Sequence, residues 1–291
     1  MIASVGPVLP LPLLRATGRY RGPLAWNVDR AMPFADRWLE TKFPPWAFSI
    51  LEDWAAGKFD NLEAVVFSRA EDAAQRLYYY VCELQRRGII GGPQPLICDV
   101  SLIPRPESMA HLEAALARLA EILGIGDDAL IRALGNAGTD TPPSDAGTGA
   151  LCLLAGTPPP DRRLHDAATQ AGWRMHGPTL AESWSEMAPV TLEPDESPFT
   201  ALARAMRGTA AGNRDFRDRK AALAREIRQT GASAAVLWFT EDDEARIWDL
   251  PGQLRVLDEM GVPALALTRR DWAARDGAGS EIRQFLKELS A

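Results

Sequence analysis

The sequence predicts two α/β domains, each built on a parallel sheet. Short apolar, β-branched runs alternate with longer stretches of helical spacing, which is the signature of strand–helix–strand units. The alternation occurs twice along the 291 residues, a length that accommodates two ordinary domains. Between the two halves lies 138–149 (GTDTPPSDAGTG), a run of turn-formers with no hydrophobic anchor. The expected division is therefore 1–140 and 150–291, joined by a linker at about 138–149.

In the first half, 62–68 (LEAVVFS) reads as a buried parallel strand. Residues 70–88 follow with helical spacing and end at Gly88. Segment 95–100 (PLICDV) is a second strand. A helix over 106–124 places Leu112, Leu116, Leu119, Ile122 and Leu123 on one face and ends at Gly124. A shorter helix over 127–138 opens on Asp127 and Asp128, which suit its positive N-terminal dipole. In the second half, strands are expected at 150–155, 172–176, 233–239 and 263–267. Helices are expected at 160–171, 198–208, 213–230, 249–260 and 279–290, with a polar stretch over 177–197.

In parallel α/β sheets, ligands bind beyond the carboxyl ends of the strands. Those ends are SRAED (68–72), DVSLIPR (99–105), AGTPPPD (155–161), FTEDDE (239–244) and LTRRD (267–271). The expected architecture is two Rossmann-like, flavodoxin-like domains facing a cleft lined by these loops. Ser68, Arg69, Gly156, Thr157, Trp238 and Thr240 are the candidate substrate contacts, chosen by their place at strand ends.

Composition narrows the functions. With 46% hydrophobic and 24% charged residues, the chain reads as an ordinary soluble protein. A net charge of −7 argues against a surface that tracks nucleic-acid phosphates. No apolar run is long enough to span a bilayer. The N-terminal stretch lacks a basic start and is broken by prolines, so no signal peptide is expected. Three cysteines without a CxxC pair point to a reducing cytoplasm and to buried thiols acting as small hydrophobes.

Several chemistries lack their motifs. GxxxxGK[ST], GxGxxG and GxSxG are all missing. Pro158, Pro159 and Pro160 remove the backbone donors that would cradle phosphate after Gly156. His111, His165 and His176 are too scattered for a histidine metal motif, and His111 and His165 are expected to be partly exposed. The run Glu241-Asp242-Asp243-Glu244, with Glu71 and Asp72, offers carboxylates to a divalent cation; a solvated acidic loop opening a helix is the competing reading. Trp38, Trp46 and Trp54 recur at even spacing and suggest core packing, or else a flat acyl or aromatic pocket. Tyr78, Tyr79 and Tyr80 must point in different directions around a helix, so at least one is expected near the surface.

Five stretches, in order, resemble the 2-hydroxyacyl-CoA dehydratase family, which includes the benzoyl-CoA reductase catalytic subunits. They are VLPLPLLRATGRYRGPLA, FDNLEAVVFSRAEDAAQRLYYYVCEL, PLICDVSLIPR with GDDALIRAL, LCLLAGTPPPDRRLHDAATQAGWRM, and AAVLWFTEDDEARIWDLPGQLRVLDEMGVPALALTRRDW followed by GSEIRQFLKEL. The resemblance covers nearly the whole chain. It implies an iron–sulfur cluster held by cysteine thiolates, into which an ATP-driven activator injects an electron. The positions that match the cluster ligands are here Phe43, Glu71 and Asp242. Phenylalanine cannot ligate iron, and carboxylates replace thiolates poorly in a sulfide cluster.

The resemblance thus implies the fold without the redox chemistry. The expected function is a cluster-free subunit of a dehydratase- or reductase-like complex, shaping or regulating an acyl-CoA site. No cofactor is expected in this chain; a [4Fe-4S] cluster is expected only in a homologous, cluster-bearing partner subunit. An acyl-CoA ligand is expected, and neither nucleic acid nor membrane. The alternatives are a free-standing non-redox enzyme with a remodelled, divalent-metal cleft, or a non-catalytic scaffold.

Overall fold

The apolar runs form two four-stranded sheets, every strand parallel to its neighbours. The computed structural model describes residues 1–135, 149–209 and 218–290. The expected linker lies outside the described residues except for Gly149, as do the end of the helix expected over 127–138 and the start of that expected over 213–230.

The chain opens with strand β1 (Ile2–Val5), helix α1 (Leu11–Ala16) and strand β2 (Tyr20–Pro23), followed by helix α2 (Pro45–Ala55). Then come β3 (Ala64–Ser68), α3 (Asp72–Arg86), β4 (Gln94–Cys98), α4 (Pro106–Leu123) and α5 (Asp127–Gly135). The next run is β5 (Leu151–Gly156), α6 (Arg163–Gln170), β6 (Arg174–His176), α7 (Leu180–Ser185), α8 (Pro198–Gly208) and α9 (Arg219–Thr230). The chain closes with β7 (Ala234–Thr240), α10 (Leu250–Glu259), β8 (Ala264–Arg270) and α11 (Ala278–Glu288). Short 3₁₀ turns occupy Ala35–Arg37 and Arg246–Asp249.

The helix ends follow local chemistry. Gly124 adopts a left-handed conformation and closes α4. The Ser197 side chain accepts from the Phe199 amide at the start of α8, with Pro198 in the first helical position. The Asp218 side chain accepts from the Lys220 and Ala221 amides at the start of α9. Helix α7, unexpected in the polar stretch, starts at a reciprocal cap: the Thr179 amide donates to Glu182 Oε2 at 2.8 Å and the Glu182 amide to Thr179 Oγ1 at 3.4 Å.

The sheets have the same strand order, β2-β1-β3-β4 and β6-β5-β7-β8. In each, the chain steps to one side and then returns to extend the other, so the topological switch lies between the first and third strands, a Rossmann-like arrangement in both halves. The registers correspond: Val5 lies opposite Phe67 and Gly156 opposite Trp238.

The compact units are Met1–Pro142 with Ser183–Phe216, and Pro143–Glu182 with Arg217–Ala291. The first unit is thus discontinuous and includes 183–209, a stretch the sequence division assigns to the second half. Two packings explain the difference. Trp184, 2% exposed, meets Trp26 and Trp46 edge to face, at 5.2 and 4.9 Å between ring centres. Helix α8 buries Leu202, Ala203 and Met206 in the same core as Leu112, Leu116 and Leu119 of α4. In the second unit, Leu153, Ala235, Leu237 and Phe239 of the sheet pack with Leu223 and Ile227 of α9 and Leu257 of α10. No helix among the described residues is long and apolar enough to cross a membrane.

Candidate functional site

In the first sheet the carboxyl edge at the switch point is built by the turn after β1 and the turn after β3. Gly6 has φ +95°, and a β-carbon there would lie 2.9 Å from Ser68 Cβ and 3.0 Å from Ala74 Cβ. Two residues on, buried Val8 has φ +54°, a conformation that costs a β-branched side chain about 1–3 kcal/mol. Ser68 is buried, and its Oγ accepts from the Ala70 amide at 3.0 Å. That bond turns the chain out of β3 toward α3, so the hydroxyl serves the fold locally.

Arg69, the next residue, belongs to a charged cluster. Its guanidinium meets Asp99 at 2.5 Å, and His111 Nε2 meets the other Asp99 oxygen at 2.9 Å. Arg69 follows β3, Asp99 follows β4, and His111 lies in the second turn of α4. All three side chains are partly exposed. Partial burial opposes ionisation of Asp99, but the hydrogen bonds and charges of Arg69 and His111 outweigh it and hold the carboxyl below its usual range. Sequence alone singles out only Arg69. Asp99 opens the strand-end loop 99–105, but nothing in the sequence joins it to His111, because they meet only when β4 and α4 pack.

Glu71 and Phe43, two of the three positions matched to cluster ligands, lie in the same unit. Glu71 is the residue from which α3 starts. Phe43 is 2% exposed and packs against the body of α3, its ring edge to face with Tyr80 at 5.4 Å and beneath the Arg76 guanidinium at 4.3 Å. Arg76 in turn pairs with Glu40 at 2.9 Å, and the Tyr80 hydroxyl donates to the same carboxylate at 3.2 Å.

The second sheet repeats the switch-point device. Gly156 has φ +107°, and a β-carbon there would lie 2.2 Å from the Trp238 carbonyl oxygen. The Thr157 amide donates to that oxygen at 2.8 Å. Thr157 Oγ1 accepts from the Thr240 amide at 3.3 Å and donates to Asp243 Oδ2 at 2.7 Å. Asp243 completes a largely buried ion pair with Arg246 at 2.8 Å. Burial opposes ionisation of Asp243, yet Arg246 and the Thr157 bond prevail and depress its pKa. Asp242, the third matched position, is exposed in the adjoining turn; surrounding protein pushes its carboxyl pKa up, and the Asp243 charge adds to this. The Trp238 ring is fully buried within the unit. Thr157, Thr240 and Asp243 thus form an interlocked turn rather than a set of open donors.

Replacing Asp243 with asparagine removes the charge opposite Arg246 and should cost about 3 kcal/mol at neutral pH. The depressed pKa places this stability above the ordinary carboxylate range. The gap between wild type and Asp243→Asn should therefore close as pH falls through the Asp243 pKa. Urea denaturation across acid pH measures it.

The cysteines are all free: Cys82 lies in α3, Cys98 is the last residue of β4 and Cys152 lies in β5. Burial pushes the Cys98 thiol up to about 12, with the Asp99 charge adding to it, and burial likewise pushes Cys152 up to about 12. Among the described residues, no group of three or more His, Cys, Asp or Glu side chains is placed to hold a metal ion. His165, expected to be partly exposed, is buried, with Nε2 bonded to the Gly177 carbonyl at 2.8 Å. Trp46 and Trp54 are buried on α2, while Trp38 is half-buried outside it. Tyr79 is the exposed member of the tyrosine run. No protein-family model matches the chain, and no curated protein matches it.

Proposed function

We propose that this chain is a cluster-free, cytoplasmic subunit of an acyl-CoA-processing complex of the 2-hydroxyacyl-CoA dehydratase and benzoyl-CoA reductase type. It shapes or regulates the acyl-CoA site of a cluster-bearing homologous partner. The observation that carries this reading is the setting of Phe43. Where the resemblance calls for a thiolate, a buried ring fills the space between Tyr80 and Arg76. The thiols the chain does possess support the same reading, since those of Cys98 and Cys152 are buried and protonated at neutral pH. Thiolate, not thiol, ligates iron.

Anaerobic affinity purification from the native source tests the proposal. The complex should contain a cysteine-bearing homologue, iron, and absorbance at about 400 nm from its cluster. The chain purified alone should contain none. Stoichiometric iron in the isolated chain would overturn the reading.

A second reading, a free-standing non-redox enzyme, draws on the Arg69–Asp99–His111 cluster, which supplies acid–base groups within this chain. Turnover of an acyl-CoA by the chain alone favours it over the first.

A further inference from the structure

We propose that His111 and Asp99 form an acid–base pair that exchanges a proton with an acyl thioester bound at the carboxyl edge of the first sheet. The substrate class rests on the second reading above, in which this chain itself acts on an acyl-CoA; the pair itself rests on geometry. Asp99 accepts from Arg69 through one oxygen and meets His111 Nε2 through the other. With Nε2 so engaged, the ring orientation is fixed and the basic lone pair belongs to Nδ1. Nδ1 has no hydrogen-bond partner among the described residues, and the side chain is 46% exposed. Neither of the other histidines combines these features. His165 is buried against Gly177, and His176 stands 3.7 Å from Glu226, beyond hydrogen-bond distance.

The surroundings favour a reversible base. His111 shares Asp99 with Arg69, and Glu107 lies one turn earlier on α4. Arg207 of α8 is engaged with the Ile103 carbonyl at 3.3 Å, in the loop that leads from Asp99 to α4. An imidazolium formed at His111 is thus paired with an ionised carboxylate already in contact. His111 acts on the substrate, and Asp99 is a positioning residue.

The step balances without an oxidant or reductant. Nδ1 takes the proton from the carbon beside the thioester carbonyl. The C–H electron pair becomes a carbon–carbon double bond as the carbonyl π pair moves onto oxygen. The imidazolium exchanges its proton with solvent, and the reverse step returns a solvent hydron to carbon.

In D₂O the chain should therefore place deuterium next to the carbonyl of butyryl-CoA, read by proton NMR, while calorimetry reports binding in the same sample. His111→Gln should bind butyryl-CoA equally and lose exchange by about 100-fold or more. Asp99→Asn should bind butyryl-CoA equally and lower exchange by about 10-fold or more, with Asp99→Glu restoring part of it, because the carboxylate orients the ring; a purely structural role would leave exchange unchanged in the folded Asp99→Asn variant. Binding without exchange, or exchange unaffected by His111→Gln, overturns the pair while leaving the acyl-CoA reading intact. No binding of butyryl-CoA by the chain alone overturns the second reading and the substrate class assigned here, and leaves the subunit reading in place. Circular dichroism of each variant establishes that it is folded.

Discussion

Trp184→Ala should destabilise the first unit by about 4 kcal/mol, within the range for deleting a buried aromatic side chain. The indole is 2% exposed and lies edge-on to both Trp26 and Trp46, so truncation removes two aromatic contacts and opens a void. The position also matters for chain path. Trp184 lies at the start of the chain's return to the first unit, which begins at Ser183, and α8 follows with Leu202 and Met206 fully buried beside α4. Loosening the anchor should expose 186–197, where several residues are already exposed, to protease. Urea denaturation and limited proteolysis measure the two effects. A variant within about 1 kcal/mol of wild type, with an unchanged cleavage pattern, would show that α8 alone holds the segment in place.

This anchor also marks the limit of what the sequence reveals. The central strands β3, β5 and β7 are legible because burial leaves unbroken apolar runs, and the edge strand β4 is legible from its short apolar run. Helices α3, α4 and α8 are legible from spacing and end signals. Strand β1 is not: its four residues include Ser4, whose hydroxyl pairs with Tyr20 at 2.8 Å, and prolines crowd the segment between β1 and α1. Helix α7 carries a readable signal, the Thr179–Glu182 cap, inside a stretch whose prolines and charges suggest a loop. The partners of Trp184 cannot be read at all, since they lie far away along the chain and only packing unites them. The same holds for the candidate site. Strand ends are visible in sequence, so Arg69, Asp99 and Thr157 fall in loops that can be named, whereas His111 and Arg246 acquire meaning only from what they touch.

The two switch-point glycines allow a sharper test. Gly6 follows the last residue of β1 and Gly156 is the last residue of β5, each beside the third strand, and both have positive φ. Alanine at either position carries a backbone penalty of about 1–2 kcal/mol. The obstacle differs. At Gly6 the new methyl meets the β-carbons of Ser68 and Ala74, at 2.9 and 3.0 Å, which yield only by a small movement of the β3 end and the α3 start. At Gly156 it meets the Trp238 carbonyl oxygen at 2.2 Å, and that oxygen is already held by the Thr157 amide. Relief there requires parting β5 from β7 and disturbing the Thr157–Asp243–Arg246 lock. Gly156→Ala should therefore cost about 4–5 kcal/mol, in the range reserved for a named steric or backbone failure, and Gly6→Ala about 2–3 kcal/mol. Gly124→Ala, with φ +72° and open space around it, isolates the backbone penalty at about 1 kcal/mol. Urea denaturation of the three variants gives the ranking. If Gly156→Ala costs no more than Gly124→Ala, the carbonyl is free to yield, and the turn after β5 is not the rigid edge from which Thr157 and Asp243 are positioned.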